Sequence, residues 1–246
     1  MAWLGARSPV RRFFADAGRD VVREVEEVLA RRQGGRVSTR GAVAFGLGLA
    51  AWGNTLVATS RLAGKHGDLV TLAGQAVAVP LVVRACMRRG FDARSLGLTL
   101  APIRQGFKGH ARFMLVLSGA AVAAGLGVLL FNYDRCSVDP AVPIARLLVA
   151  TSLGEEVLFR GALFAVWAAT GRGAGVVTVA NAGFFALWHV AGSVQGGRFD
   201  PWGVGFPAVS ALLFFVWARA RFGSVVAPAV VHASGNLPAW VLTKCR

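Results

Sequence analysis

Acidic side chains are scarce in this chain of 246 residues, with twelve Asp and Glu against twenty-seven Lys and Arg. Five of the twelve fall between Asp16 and Glu27, and beyond them only Asp68, Asp92, Asp134, Asp139, Glu155, Glu156 and Asp200 occur. All of these later acids except the two glutamates lie in loops or at the ends of apolar segments. The three cysteines, Cys86, Cys136 and Cys245, share no metal or redox spacing and build no disulfide framework. Cys245 is penultimate, which excludes a C-terminal prenylation box. Alternating segments of ~10 residues are absent, which excludes a transmembrane barrel. No internal repeat is apparent, and the glycine pairs Gly34–Gly35 and Gly196–Gly197 lack the strand–loop–helix context of a phosphate cradle. A secretory signal is not seen either. The polar, basic arm of residues 1–40 precedes the first apolar run, so that run is expected to stay in the membrane as a span.

What is abundant is apolar. Hydrophobic residues make up 55% of the chain, above the ~45–50% of a soluble domain even when glycine is counted there. Runs of Ala, Val, Leu, Gly and Phe recur along most of the length. They predict an all-α, polytopic membrane helix bundle of about seven transmembrane helices, with the functional site inside the bundle. The spans are expected near 42–59, 69–83, 113–131, 142–170, 174–191, 203–218 and 224–242, forming one membrane domain over 41–242. Residues 94–109 read as a weakly amphipathic interfacial segment. In the arm, Val21, Val25, Val28 and Leu29 recur at helical spacing between charges. This predicts a short amphipathic helix over 20–32, solvated on the cytoplasmic side or lying on the membrane, with no chemistry of its own. The net charge of +15 would suit nucleic acid, but its placement fits the positive-inside rule instead. Nineteen basic residues fall in the arm and the loops on its side, and six on the other. A cytoplasmic N-terminus, a lipid surround and no nucleic-acid partner follow.

Three polar constellations interrupt the apolar spans. The run Ser152-Leu-Gly-Glu-Glu-Val-Leu-Phe-Arg160 places Glu155, Glu156 and Arg160 within six residues, where each charge near mid-bilayer costs roughly 3 kcal/mol or more. Glu156 and Arg160 are i and i+4 on one helical face, so they are expected to pair. Glu155 is rotated ~100° from Glu156 and reads as the reactive carboxylate. The fifth span carries Phe185 and His189 at i and i+4, the ring placed to brace the imidazole. The seventh carries His232 and Asn236, again i and i+4, both able to donate hydrogen bonds into one pocket. Pro228 and Pro238 flank that pair, where kinks would open backbone groups. Ser152, Ser193 and Ser234 lack a nucleophile elbow, and no H-E-x-x-H helix is present.

The set E-E-x-x-x-R (Glu155, Glu156, Arg160), F-x-x-x-H (Phe185, His189) and H-x-x-x-N (His232, Asn236) resembles the CPBP intramembrane protease family. This is the Abi family, related to the type II CAAX prenyl endopeptidases. The resemblance spans about 140–242, and the preceding residues match no motif. It implies an endopeptidase acting on membrane-associated protein or peptide substrates from a cavity open toward the cytoplasm. Glu155 with His189 would activate a water, His232 and Asn236 would donate to the oxyanion, and Glu156 with Arg160 would hold the site. Glu155, His189 and His232 are also the side chains able to ligate one divalent metal, zinc. Only Lys65, Lys108 and Lys244 are lysines; with the Ala, Gly and Val richness this reads as a high-GC, bacterial coding sequence and a bacterial inner-membrane location. A bacterial host lacks the prenylated substrates of the eukaryotic enzymes. Two other classes accommodate the same residues: a non-catalytic bacteriocin-immunity or scaffold membrane protein, and a proton-coupled transporter using the glutamates as a relay.

Overall fold

The computed structural model describes residues 9–100 and 151–242, together with 115, 118–119, 122–123, 136–137 and 244–245. Its described elements are helices. α1 is Pro9–Arg31, α2 Thr39–Leu62 and α3 Gly67–Arg88, with one 3-10 turn, Gly64–His66, between the last two. α4 runs over 151–168, α5 is Ala174–Trp188, α6 is Trp202–Phe222 and α7 is Val226–Leu242. Two-residue strands add little: β1 (Cys136–Ser137) pairs antiparallel with β4 (Lys244–Cys245), and β2 (Val194–Gln195) with β3 (Arg198–Phe199).

The helical bundle agrees with the composition, and most described helices begin within a few residues of an expected span. Of the described helices, α2, the run Gly64–Arg88 and α6 are long and apolar enough to cross a membrane, while α5 is shorter. Most of the expected span at 113–131 and the first part of 142–170 lie outside the described residues. Local chemistry sets the ends. The Ser38 side chain accepts from the Gly41 amide at 3.1 Å and caps α2. Gly223, at φ +58, turns the chain out of α6 in the left-handed conformation that favours glycine. Exposed apolar side chains on the outer faces, Leu47, Leu69, Val77, Leu81, Val179 and Val209 among them, suit contact with lipid tails.

α1 differs from its expectation. It extends from Pro9 to Arg31 rather than over 20–32, and its apolar face is covered by protein, not water or lipid. Val21, Val25 and Val28 are buried in the main core with Phe159, Leu163 and Phe222. Two acids go in with them. Glu24, buried, accepts from Arg219 Nη1 at 2.6 Å, and Asp20, buried, pairs with Arg221 at 3.1 Å. The stretch 94–100 likewise does not simply lie at an interface: Ser95 and Leu96 are fully buried, and Gly97 receives the Val225 amide on its carbonyl at 3.0 Å.

Candidate active site

The site begins with the winding of α4. Between the ordinary helical turn at 155–156 and Phe164, the backbone is π-helical over Val157–Leu163, and π turns also occupy 151–154. π segments are rare and gather at functional sites, because the extra residue per turn loosens the backbone ladder and redirects side chains. Here they surround Glu155 and Glu156. Asn181, fully buried on α5, donates from Nδ2 to the Phe159 carbonyl at 2.6 Å. From the opposite side Arg219 Nε donates to the Arg160 carbonyl at 3.1 Å. The irregular segment is thus held by side chains from two other helices.

Glu156 and Arg160 have no exposed surface, and Arg160 Nη1 donates to Glu156 Oε1 at 3.2 Å, the expected i,i+4 pair. The same oxygen lies 2.9 Å from His232 Nδ1 on α7, a contact the helical phase alone does not supply. The Arg160 guanidinium also sits over the faces of Phe185 and Phe215, 4.0 and 4.8 Å from their centroids, which partly replaces lost hydration. Glu155 is a different case. It is 7% exposed, its Oε2 has no hydrogen-bond partner, and that oxygen lies 3.9 Å from His189 Nε2. Such a separation is too long for a direct hydrogen bond and suits a shared third group.

His189 is the C-terminal cap of α5 rather than an interior residue of the span. Its Nδ1 lies 2.8 Å from the Phe185 carbonyl. A carbonyl can only accept, so Nδ1 carries the proton and Nε2 faces Glu155. The Phe185 ring braces the imidazole as expected, with centroids 4.6 Å apart and edge-on. Phe215 of α6 stacks on His232 of α7 at 5.1 Å and 23°, delivered by a further π segment, Ala211–Phe215. α7 carries both Pro228 and Pro238 within one continuous helix. Glu155, His189, His232 and Asn236 all line one cavity of about 550 Å³ between α2, α3, α4, α5, α6 and α7.

Two polar residues in the same region carry little signal in the sequence. Asn54, in the middle of an apolar run, donates to the Leu187 carbonyl at 2.8 Å and accepts from the Ala191 amide at 2.5 Å. It thereby clasps the end of α5 on both sides of His189. Gly53 beside it permits the contact, since a Cβ there would strike the Trp188 indole. Gln75, on α3, is buried and lines the cavity. The cavity residues of α2 run from Gly53 to Ser60 and those of α3 are Thr71 and Gln75, all toward the α2–α3 turn. That end is opposite to α1 and to the Arg84, Arg88 and Arg89 end of α3.

Among the described residues, no group of three or more His, Cys, Asp and Glu gathers as a metal-holding set. The donor atoms themselves, an imidazole nitrogen and a carboxylate oxygen, are of the kind zinc prefers. Residues 137–238 match the family model of Type II CAAX prenyl endopeptidase Rce1-like. That match is consistent with the CPBP intramembrane proteases, and it covers all six of Glu155, Glu156, Arg160, His189, His232 and Asn236. No curated protein and no solved structure matches the chain.

Proposed function

We propose that this chain, carrying an Rce1-like region inside a membrane bundle, is an endopeptidase that hydrolyses peptide bonds of membrane-associated proteins or peptides. The observation that supports it most is the unpartnered, buried Oε2 of Glu155 facing His189 Nε2 across 3.9 Å at the cavity wall. Both atoms accept hydrogen bonds, so a water between them engages both its hydrogens and turns a lone pair to the cavity. Glu155, as general base, takes one proton as the oxygen attacks the scissile carbonyl carbon. The carbonyl electron pair moves onto oxygen. There His232, whose Nδ1 is held by Glu156, donates from Nε2 together with the Asn236 amide. One such donor contributes about 3 kcal/mol to the transition state. Collapse of the intermediate breaks the C–N bond, and the proton on Glu155 passes to the leaving amine. Glu156 and Arg160 position His232 and make no bond to the substrate.

Zinc, if resident, would be held by Glu155 and His189 with His232 as a third candidate, and would acidify the bound water. The test uses the purified full chain in detergent with a mixture of quenched-fluorescent apolar peptides. Glu155→Ala and His189→Ala are each expected to lower kcat at least a hundredfold, on the order of a lost general base. Retained cleavage in either variant overturns the mechanism. Chelation followed by zinc readdition, on the same peptides, reads the metal requirement directly.

A further inference from the structure

Gln75, on α3, lines the cavity and is buried. Its side chain is 3% exposed, and Oε1 has no hydrogen-bond partner among the described residues. The helix that carries it packs against the π segment of α4. Its polar neighbours in the lining are already engaged: Ser60 Oγ donates to the Val57 carbonyl at 2.9 Å, and Thr71 Oγ1 to the Gly67 carbonyl at 3.1 Å. Nothing comparable satisfies Gln75 Oε1, and burying an unpaired amide oxygen destabilises the fold. A group retained there at such a cost is explained by a ligand that completes it.

We infer that Gln75 is a substrate-binding residue whose side-chain amide pairs with a main-chain peptide group of an extended substrate lying in the cavity. The inference rests on the endopeptidase reading and deepens it. A carboxamide offers one acceptor and one donor side by side, the complement of a peptide N–H and C=O. Exchange of its oxygen and nitrogen positions leaves the match intact. Recognition of this kind reads the backbone, so it acts alike on substrates of different sequence. It also fixes the strand against α3 in the cavity that Glu155, His189, His232 and Asn236 line.

The experiment compares wild type, Gln75→Leu and Glu155→Gln in the full chain, with the quenched peptide mixture for turnover and one fluorescein-labelled member for binding. Gln75→Leu is expected to raise KM roughly 3- to 10-fold by a similar factor for every cleaved peptide, the effect of one lost neutral hydrogen bond, with kcat little changed. Its melting temperature should equal or exceed that of wild type, because an unpaired buried oxygen is gone. A lowered melting temperature with unchanged KM makes Gln75 structural and overturns the inference, as does a KM effect confined to one side-chain type. Binding to the Glu155→Gln background, with and without Gln75→Leu, separates the two claims. A chain that binds through Gln75 but never cleaves refutes the endopeptidase reading alone. Cleavage that is lost in Glu155→Gln yet indifferent to Gln75→Leu refutes only this inference, and a wild-type chain that neither binds nor cleaves overturns both.

Discussion

At the scale of single residues, two adjacent glutamates do opposite things, and the difference lies in their partners. Glu156 shares one oxygen between Arg160 and His232 with no exposed surface, so its removal leaves a buried guanidinium uncompensated. Such losses cost about 3–5 kcal/mol. Glu155 is buried with one oxygen unsatisfied, so its neutralisation removes a burden from the fold. Glu156→Ala is therefore expected to lower stability by about 3 kcal/mol, and Glu155→Gln to leave it unchanged or raise it, in denaturant melts of the purified chain. Equal losses in both variants would contradict the division of roles. The pair was legible in the sequence because charge inside an apolar run is conspicuous and i,i+4 spacing fixes a face. Asn54 and Gln75 were not, since an uncharged polar residue in a span is ordinary until its neighbours are known. The His232–Glu156 contact joins positions 76 residues apart, which no periodicity can report.

At the scale of elements, the same contrast separates what a helix is from where it docks. The amphipathic pattern of α1 gave the helix, but its buried acids answer to arginines on α6. The Glu24–Arg219 bond links residues 195 positions apart, and nothing in the pattern distinguishes a face meant for protein from one meant for lipid. The π segments were equally hidden, because an i→i+5 ladder has no residue signature of its own. They matter to the site through Arg219, which reaches the Arg160 carbonyl, the Ser95 carbonyl and Glu24 with three different nitrogens. Gly97 makes room for it, at φ +66, since a side chain there would put its Cβ only 2.6 Å from Arg219 Nε. α1 is on this account a brace for the π segment. Glu24→Ala strands a fully buried cation and is expected to cost about 3 kcal/mol or more, and to lower kcat as well, because the backbone beneath Arg160 loses its anchor. If the melt shifts but kcat per folded molecule does not, the brace is structural alone and does not reach the site.

At the scale of the whole molecule, charge and cavity lie at opposite ends. Ser60 stands 21 residues beyond Thr39 along α2, roughly 30 Å at 1.5 Å per residue, close to the thickness of a hydrocarbon core. Thr71 begins the return on α3. Between them the cavity occupies the α2–α3 turn end, whereas α1, Arg84, Arg88, Arg89, Arg219 and Arg221 occupy the other. Short basic segments stay in the cytoplasm because translocating them is unfavourable, and this rule weighs loops close to the spans most heavily. The charge rule favours a cytoplasmic basic end, since nineteen basic residues against six must otherwise cross the membrane. If the basic end is cytoplasmic, the cavity lining on the α2–α3 turn side lies toward the outer half of the bilayer, and substrates would be peptides presented there rather than cytosolic tails. In a chain with its three cysteines replaced, Ser60→Cys or Thr71→Cys should react with a membrane-impermeant maleimide in intact spheroplasts, while Ala17→Cys on α1 should react only in inside-out vesicles. The reverse pattern would place the basic end outside and return the cavity to the cytoplasm, against the charge rule.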